Sequence, residues 1–370
     1  MLDCEFPMKT AMVVAGTRPE IIKMAPIIRA LHKNKIPFVF VHCGQHYDYD
    51  MSQQFIENLG LPKPEYGYKL KANSQGTQTA RIIVHMERLI KHAQPGIVLV
   101  EGDTNGVLAT AIATVKLGIP VGHVEAGLRS YDLRMPEEHN RRLVDHVSTY
   151  LFAPTTTAEI NLIEENVWGK IFVTGNTIID AVVQHLPIAQ AKSEIMNTIR
   201  FKKFALATAH RAENVDDISV LANFIEAFEQ APLPIVYPMH PRTRKRLWQN
   251  GMYSRIRKAA NIQVLPPLGY MDFLVLMKNC EMIVTDSGGI QEEATSRNMR
   301  KQVLVIRYST ERPEAVKAGF AEVVGVEKQG ILDAVSRTLT IQKQLPSESP
   351  YGDGNAADRI IGIIRNELET

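Results

Sequence analysis

The sequence predicts an α/β protein built from two doubly wound parallel sheets. Short apolar runs alternate with helical patterns from one end of the chain to the other. The runs are continuously apolar, as in strands that are buried on both faces of a parallel sheet. The alternation forms two series of similar size, and 370 residues are enough for two domains.

The first series contains five candidate strands and at least two clear helical patterns. The strands are TAMVVAG, FVFVHCG, GIVLVEG, PVGHVEA and YLFAPT. The helical patterns cover residues 19–33 and 104–118. The second pattern begins at Thr104, a residue type that caps helices, and ends at Gly118 with Pro120 just beyond.

The second series begins near residue 200 with FALATAH, PIVYPMH, IQVLPP, MIVTDS and KQVLVIR. A break rich in Ser, Pro and Gly follows at 344–355, and a last helical pattern closes the chain. We therefore expect a Rossmann-like domain over 1–175 and a second, nucleotide-binding one over 176–354, facing each other across a cleft. We expect a C-terminal helix over 355–370 to pack back on the first domain.

Composition excludes several classes of protein. The net charge is +2, and the basic stretch RTRKR (242–246) follows a strand and a proline, so neither nucleic acid nor an acidic membrane is the expected partner. The cysteines Cys4, Cys43 and Cys280 form no C-x-x-C pair, which argues against a disulfide framework or a zinc site. With no signal peptide or apolar span, the expected location is the cytoplasm.

Charged and polar residues follow the predicted strands in both series. Ligands of open α/β sheets gather outside the carboxyl ends of the strands. Any one such residue is as easily structural as functional, so the concentration in both series is the signal for a site. The residues are Arg18, Asp103, Glu125, His210, Arg211, His240, Asp286 and Ser287.

Two of these turns are candidate anion sites. GTRPE (16–20) lacks the G-x-G-x-x-G pattern, so a nicotinamide dinucleotide is not expected, but Arg18 at a helix start suits an anionic group. Lys23 either adds a point charge there or is solvated. In TDSGGIQEEA (285–294) a phosphate could approach the backbone at Gly288 and Gly289. Ser287 is the expected cap of that helix.

In the same segment Glu292 and Glu293 are expected in the first helical turn, where carboxylates complement the helix dipole. One of them is alternatively placed to accept hydrogen bonds from a ribose. HCGQH (42–46), with Asp48 and Asp50, resembles a metal cluster, but His42 belongs to a strand pattern, so no metal is expected. His210 and His240 could bind phosphate or carry a proton.

The stretch VEAGLRSYDLRMPEE (124–138) contains three glutamates with different expected roles. Glu125 directly follows a strand, which predicts acid or base chemistry at the sheet edge. Glu138 precedes Arg142 by four residues, an i,i+4 pair that predicts a structural role, whereas Glu137 is assigned to the site. Loop charges that could shape a sugar pocket are Arg129, Asp132 and Arg134.

Eight motifs occur together and in this order: GTRPEIIKMAP, EGDTN, VEAGLRS, PEEHNR, TGNTIIDA, TAHRAEN, SGGIQEEA and TERPEA. Over about residues 9–320 this set resembles the non-hydrolysing UDP-N-acetylglucosamine 2-epimerase family. The resemblance implies the glycosyltransferase B architecture, with the nucleotide-sugar in the cleft. It also implies interconversion of UDP-N-acetylglucosamine and UDP-N-acetylmannosamine through anti elimination of UDP, a 2-acetamidoglucal intermediate, and re-addition.

The same resemblance implies a homodimer that needs no cofactor and no metal and serves polysaccharide biosynthesis. It matches catalytic positions to Asp103, Glu125, Glu137 and His210. Which carboxylate removes the proton and which donates it stays open. Residues implied in binding UDP and substrate are Arg18, Lys23, His240, Phe273, Ser287, Gly288, Gly289, Glu293 and Arg312, and Glu314 is expected near the same site.

Two departures from the family pattern bear on regulation. The chain reads His210-Arg211-Ala212 where many bacterial members have two arginines after the histidine, and YDYD follows GQH. Activation by a second UDP-N-acetylglucosamine is therefore not expected. Three alternatives remain: a hydrolysing epimerase that releases UDP and N-acetylmannosamine, a glycosyltransferase of the same fold, and a nucleotide-sugar binding protein without turnover.

Overall fold

A computed structural model describes residues 8–44, 55–69, 74–341 and 344–369 of the chain. It contains two compact units, one formed by Met1–Ala181 with Gly352–Thr370 and the other by Val182–Tyr351. The chain passes from the first unit to the second within helix α6 (Thr177–Lys192). Each unit is a parallel sheet with helices in its crossovers, so the predicted α/β class with two doubly wound units is confirmed.

The first unit has a seven-stranded sheet in the order β3-β2-β1-β4-β5-β6-β7. Its strands are β1 (Ala11–Ala15), β2 (Phe38–Gly44), β3 (Tyr66–Lys69), β4 (Ile97–Glu101), β5 (Val121–Val124), β6 (Tyr150–Ala153) and β7 (Lys170–Val173). Its helices are α1 (Arg18–Lys33), α2 (Gln75–Ala93), α3 (Asn105–Lys116), α4 (Pro136–Val147), α5 (Thr156–Glu164), the start of α6, and the C-terminal helix α15 (Ala356–Glu369).

The second unit has a six-stranded sheet in the order β10-β9-β8-β11-β12-β13. Its strands are β8 (Ala205–Thr208), β9 (Ile235–Pro238), β10 (Ile262–Leu265), β11 (Met282–Thr285), β12 (Val303–Val305) and β13 (Ala321–Val323). Its helices are α7 (Ala212–Val215), α8 (Ile218–Gln230), α9 (Pro241–Gln249), α10 (Tyr253–Lys258), α11 (Tyr270–Asn279), α12 (Gly288–Glu293), α13 (Pro313–Lys317) and α14 (Lys328–Thr340), with a 3₁₀ turn at Ile195–Thr198.

The strand order reverses once in each sheet. In the first unit β1 pairs with both β2 and β4, and in the second β8 pairs with both β9 and β11. Crossovers leave in opposite directions at such a point, which opens a crevice at the carboxyl ends of the two strands. Residues that follow β1, β4, β8 and β11 therefore gather at these crevices.

Apolar residues of the strands and of the helices that pack on them form the core of each unit. Met12 and Val98 pack in the first unit, and Phe224, Phe228 and Tyr237 pack in the second, all of them fully buried. Burying each such side chain contributes roughly 1.5–3 kcal/mol before the entropic cost of folding is counted. The continuous apolar pattern of the strands thus reflects burial on both sheet faces.

Local signals account for the helix ends. Thr104 Oγ1 accepts the Val107 N–H at 3.4 Å to cap α3, and the chain leaves that helix through Gly118 with φ 71°. The carboxylate of Asp180 accepts the N–H groups of Ala356 at 3.2 Å and Ala357 at 2.9 Å, which caps α15. Among the described residues, no helix has the length and apolar character required to cross a membrane.

Candidate active site

The turn between β1 and α1 is built around Gly16. A Cβ atom at Gly16 would lie 2.4 Å from the Cys43 carbonyl oxygen, so only glycine fits there. Glu20 Oε2 turns back to accept the N–H groups of Gly16 at 2.5 Å and Thr17 at 3.3 Å. Arg18 is exposed at the first position of α1, with its guanidinium 5.4 Å from the centre of the Phe55 ring. Its side chain can therefore reach an anion at this helix start.

Lys23 joins two strand ends of the first unit. Its Nζ lies 2.9 Å from Glu101 Oε1 and 2.5 Å from Glu125 Oε2, and the residue is only 9% exposed. The alternative of a solvated lysine is therefore wrong, because the apolar packing of α1 carries this side chain into the sheet edge. Burial raises the pKa of Glu101 well above its usual range, with Lys23 opposing the shift and Glu125 and Glu20 adding to it.

Glu125 occupies the first position after β5, as predicted. Its φ is 66°, in the left-handed region that is unfavourable for a residue with a Cβ. Lys23 and Asn176 both donate to its Oε2, the latter at 2.8 Å. The strained backbone and the two donors fix this carboxylate in one direction.

Asp103 lies two residues beyond β4 and is partly exposed. Arg141 on α4 binds its Oδ2 at 2.5 Å, and the Asn140 side-chain amide donates to its backbone carbonyl at 2.9 Å. The first helical turns of α4 therefore hold the β4 strand end, and they leave one face of the Asp103 carboxylate open to solvent.

The two neighbouring glutamates at the start of α4 differ sharply in environment. Glu137 is exposed, whereas Glu138 is completely buried. Ser130 donates to Glu138 Oε2 from its N–H at 2.8 Å and its hydroxyl at 2.9 Å, and Arg141 and Arg142 each approach the carboxylate to 3.2 Å. The predicted pairing of Glu138 with Arg142 is confirmed, and Glu138 also anchors the loop that precedes α4.

Arg129 was expected to be a loop charge near a sugar pocket, but the structure buries it. It binds Asp145 Oδ2 at 2.8 Å and Glu165 Oε2 at 2.6 Å, so its role is structural. Asp145 also binds His123 Nδ1 at 2.7 Å, and the opposite ring nitrogen of His123 lies 2.9 Å from the Gly102 carbonyl. This network fixes the loop between β4 and Asp103.

The two other loop charges of this stretch pair with each other on the surface. Arg134 donates to both carboxylate oxygens of Asp132, at 2.8 and 2.7 Å. These hydrogen bonds from Arg134 lower the pKa of Asp132 to about 2. The pair stays ionised across the physiological pH range.

The metal interpretation of HCGQH gains no support from His42. It lies in β2 and is buried, and burial lowers the pKa of its imidazole. Residues 45–50, which include Asp48 and Asp50, lie outside the described residues. Within the described ranges, no group of three or more His, Cys, Asp and Glu side chains has the arrangement of a metal site.

Asp286 organises the ligand edge of the second unit. It follows β11 and is completely buried, and its Oδ2 accepts the N–H groups of His210 and Arg211, each at 2.8 Å. Asn214 Nδ2 donates to the same oxygen at 3.2 Å, while His210 Nδ1 lies 3.1 Å from Oδ1. Burial would raise the pKa of Asp286, but these donors outweigh it and lower the pKa.

His210 and His240 follow neighbouring strands and lie close together, with their ring centres 5.6 Å apart. Burial of part of its ring, together with nearby His210 and Arg242, lowers the pKa of His240. His240 is therefore neutral at pH 7 and can both accept and donate a hydrogen bond. Its Nδ1 already accepts the Arg242 N–H at 3.2 Å, which leaves Nε2 as the donor.

The turn after β11 differs in two respects from the prediction. Ser287 occupies the N-cap position of α12, but among the described residues its hydroxyl caps no helical N–H, and its own N–H donates to Thr285 Oγ1 at 3.0 Å. Helix α12 spans only six residues, so Glu292 and Glu293 lie beyond its first turn, contrary to expectation. Glu292 instead binds Arg312 Nε at 2.5 Å.

Two arginines and a glutamate lie beside Gly288. The guanidinium carbon of Arg312 and Glu311 Oε2 each lie 3.7 Å from the position of a Cβ there, and one guanidinium nitrogen of Arg211 lies 3.8 Å from it. Glu311 is held by Arg307, and by Arg211 at 3.6 Å; these cations outweigh burial and lower the pKa of Glu311 to about 2. Paired arginine and glutamate side chains thus line the glycine turn.

Comparison with known proteins agrees with this geometry. The family model described as UDP-N-acetylglucosamine 2-epimerase matches residues 29–365. The chain belongs to the UDP-N-acetylglucosamine 2-epimerase family. It is 42% identical over 361 residues to the UDP-N-acetylglucosamine 2-epimerase of Methanocaldococcus jannaschii, covering 95% of this chain and 98% of the relative. The crystal structure of that enzyme in complex with UDP-N-acetylglucosamine and UDP has a TM-score of 0.87 to this chain, covering 97% and 100%.

Family membership leaves room for a different sugar. The chain is also 37% identical over 358 residues to a UDP-2,3-diacetamido-2,3-dideoxy-D-glucuronate 2-epimerase of Pseudomonas aeruginosa, covering 94% and 97%. A MurG structure from Acinetobacter baumannii, at 12% identity and a TM-score of 0.56, shows the fold alone. These neighbours establish the two-domain glycosyltransferase B class predicted for the family.

Several site residues were not in the predicted set. Arg141 and Asn176 orient Asp103 and Glu125, and Asp286, noted only as a strand-end residue, orients His210. Asn176 and Arg141 lie within the quoted motifs TGNTIIDA and PEEHNR. Their position in these motifs is the sequence feature that could have identified them as candidate site residues. Phe273 lies half-buried on α11, and Glu293 is buried at the end of α12.

Proposed function

We propose that this chain is a non-hydrolysing UDP-N-acetylglucosamine 2-epimerase, which interconverts UDP-N-acetylglucosamine and UDP-N-acetylmannosamine. One observation carries the proposal. Two carboxylates, Asp103 and Glu125, each bound to a cation, end the neighbouring strands β4 and β5 in a chain that matches this family along nearly its whole length.

The chemistry requires paired proton transfer and a stabilised leaving group. A base takes the C2 proton, the C–H electron pair forms the C1=C2 bond, and the C1–O bond breaks to release UDP. A proton delivered to the other face of C2, followed by re-addition of UDP at C1, gives the epimer. Proton transfer on two faces of one carbon calls for more than one acidic group. Asp103, Glu125 and Glu137 are the proposed set.

The second unit supplies what departing UDP requires. Asp286 fixes the His210 side chain, and the half-buried turn at Ser287–Gly289 lies beside Arg211 and Arg312. Fixed donors of this kind stabilise negative charge as it develops, since they need no reorganisation. We assign His210, His240, Ser287, Gly288 and Gly289 to the diphosphate, and Glu293, Phe273 and Arg312 to the rest of the nucleotide.

The contacts of Lys23 refine its assignment. Its ammonium is engaged with two buried carboxylates, so we assign it to the control of Glu125 rather than to direct phosphate binding. Arg18, which is exposed at the start of α1, is the better candidate for an anionic group of the substrate.

Product analysis tests the proposal. The chain is incubated with UDP-N-acetylglucosamine and, separately, with UDP-N-acetylmannosamine, and the products are followed by NMR. We expect each nucleotide-sugar to form the other until both reactions reach the same ratio. Stoichiometric free N-acetylmannosamine would establish the hydrolysing reaction instead. The substrate named for the 37% identical relative serves as the competing substrate, and preferential turnover of it would overturn the assigned sugar.

A matched pair of variants tests the site. Asp103→Asn keeps the shape of the side chain but removes the carboxylate, so we expect at least a hundredfold loss of epimerisation with UDP binding retained. Asp358→Asn, exposed on α15 of the same unit, is the control and should keep normal turnover. Unchanged turnover of Asp103→Asn would remove this residue from the catalytic set.

We also propose that the enzyme acts in the cytoplasm as a homodimer, without a nicotinamide or metal cofactor. Light scattering measures the mass directly against the 41.4 kDa chain, and a single-chain mass would contradict the dimer. Full turnover after exhaustive treatment with a chelator is expected, and loss of turnover that added metal restores would contradict the metal-free reaction.

A further inference from the structure

Two carboxyl groups contact one ammonium group at the carboxyl ends of β4 and β5, and a third, that of Glu20, lies close enough to raise the pKa of Glu101. Lys23 Nζ contacts Glu101 Oε1 at 2.9 Å and Glu125 Oε2 at 2.5 Å. Glu20, one turn before Lys23 on α1, is 2% exposed, and so is Glu101. The Glu125 side chain is 7% exposed. The three carboxyl groups and the lysine thus form a nearly dry cluster, here called the Lys23 cluster.

The charges of this cluster do not balance if every carboxyl group is ionised. Three carboxylates and one ammonium would leave two uncompensated negative charges in the interior, at a cost of several kcal/mol each. Nearby cations are committed elsewhere: Arg141 binds Asp103 and Glu138, and Arg129 binds Asp145 and Glu165. Among the described residues, His123 on β5 is bonded to Asp145, and the pKa of the buried Cys43 thiol is raised by burial and by Glu20.

The hydrogen bonds indicate which group carries a proton. Glu20 accepts two backbone N–H groups, and Glu125 accepts from Lys23 and Asn176, and these donors favour the ionised forms. Burial raises the pKa of Glu20 as well, with its donors opposing that shift. Glu101 shares Lys23 with Glu125, at the longer of the two distances. Burial and the two neighbouring carboxylates raise the pKa of Glu101 well above its usual range, which agrees with this distribution.

We propose that Glu101 is a positioning residue for Glu125: it holds Lys23 from the opposite side while carrying a proton itself. A neutral Glu101 accepts a hydrogen bond from Lys23 and leaves the lysine charge to Glu125. Glu125 is then kept ionised and pointed in one direction. Once Glu101 loses its proton, two carboxylates compete for one ammonium, and the two titrate as a coupled pair.

The consequence for catalysis rests on the proposed function. If Glu125 transfers a proton to or from C2, its charge must stay fixed while UDP leaves. Ionisation of Glu101 would raise the proton affinity of Glu125 and change turnover on the alkaline side of the pH profile. Glu101 itself lies behind Lys23 and acts through it.

Proton linkage tests the inference without substrate. Folded wild-type protein retains a proton on Glu101 that the unfolded chain releases above pH 4.5, the ordinary pKa of this side chain. Rising pH therefore favours unfolding, by up to tenfold per pH unit in the unfolding constant. Glu101→Gln, which still accepts from Lys23, should lose this one-proton slope, and Glu57→Gln, exposed in the same unit, should keep it. Equal slopes for wild type and Glu101→Gln would overturn the inference.

Infrared spectroscopy provides a second readout on the wild-type protein at pH 7. The carbonyl stretch of a protonated carboxyl group should be present, should move on ¹³C labelling of glutamate, and should be missing from Glu101→Gln. If Glu101→Gln fails to fold, Glu101→Asp must shift the band. A band that is absent from wild type, or unchanged in either variant, would overturn the inference.

The pH profile of epimerisation completes the test. Glu101→Gln should lack one ionisation on the alkaline limb of kcat, whereas a merely structural residue would leave the shape of the profile unchanged. The linkage and infrared measurements need no turnover, so an inactive protein would refute the proposed function without affecting them. Conversely, an active enzyme whose Glu101 carries no proton would refute only this inference.

Discussion

Glu138 and Glu137 are neighbours in sequence that should respond to the same substitution in opposite ways. Glu138→Gln replaces a completely buried carboxylate by a neutral amide whose NH₂ group must face donors from Ser130, Arg141 and Arg142. Breaking a buried ion pair costs about 3–5 kcal/mol. Arg141 keeps Asp103 as a partner, so we expect the lower end, about 3 kcal/mol, or roughly 150-fold in the unfolding constant.

Each unit contains one of the two tryptophans, Trp168 and Trp248, so the unfolding of each unit can be followed separately. Trp168 Nε1 donates to the His146 carbonyl at 2.7 Å, close to the end of α4. In a Trp248→Phe background, urea unfolding at pH 7 monitored by Trp168 fluorescence measures the loss directly.

Glu137→Gln is the matched control, since Glu137 is exposed on the same helical turn. Its unfolding free energy should stay within about 0.5 kcal/mol of wild type, while epimerisation falls. If both variants shift the unfolding midpoint equally, or if Glu138→Gln is as stable as wild type, the structural role assigned to Glu138 is wrong.

Two further substitutions test Asp180, which caps α15, and Asp286, which holds His210 and Arg211 in the second unit. Burial raises the pKa of Asp180 to about 6 from 3.8, so the folded state binds a proton that the unfolded chain releases, and stability is lost as pH rises between these values. Asp180→Asn should remove up to about 3 kcal/mol of this pH dependence, measured by urea unfolding from pH 4 to 8, and an unaltered pH dependence would contradict the cause. Asp286→Asn should weaken UDP binding about 10- to 100-fold in calorimetric titration, because His210 and Arg211 lose a charged acceptor. Asp333→Asn, exposed on α14, should bind UDP normally, and a normal affinity for Asp286→Asn would refute its role.

The sequence was sufficient for ten of the thirteen strands in the two described sheets, whereas β3, β7 and β13 were not predicted. It also placed several candidate site residues at strand ends. Helix α3 could be predicted because its signals are local: a capping threonine at one end and a glycine with positive φ at the other. Glu125, Asp103 and His210 could be placed because parallel strands bring their carboxyl ends to one edge.

What the sequence could not show depends on contacts between distant segments. The sequence suggests no partner for Arg129 beyond its own loop, whereas its partners Asp145 and Glu165 come from α4 and from the residue that follows α5. The sequence could not decide between a site charge and a solvated side chain for Lys23, because its partner Glu125 lies 102 residues further along the chain. The spacing of residues along the sequence does not predict such pairs, because each pair forms only when separate crossover segments pack on the sheet.

The short length of α12 also depends on contacts between distant segments. The glutamates of SGGIQEEA suit a first helical turn by charge, yet the helix begins at Gly288 and ends at Glu293. Glu292 forms an ion pair with Arg312, which lies in the loop after β12. Local propensity predicts the presence of this helix, whereas its length and its ion pair depend on tertiary packing.

Incorporation of deuterium at C2 tests the central claim most directly. The enzyme is incubated with UDP-N-acetylglucosamine in heavy water, and the C2 proton signal of the nucleotide-sugar pool is followed by NMR as UDP-N-acetylmannosamine appears. Elimination and reprotonation predict that every molecule of product formed carries solvent deuterium at C2. Product that retains its C2 proton, or bound substrate that neither exchanges nor epimerises, would contradict the account.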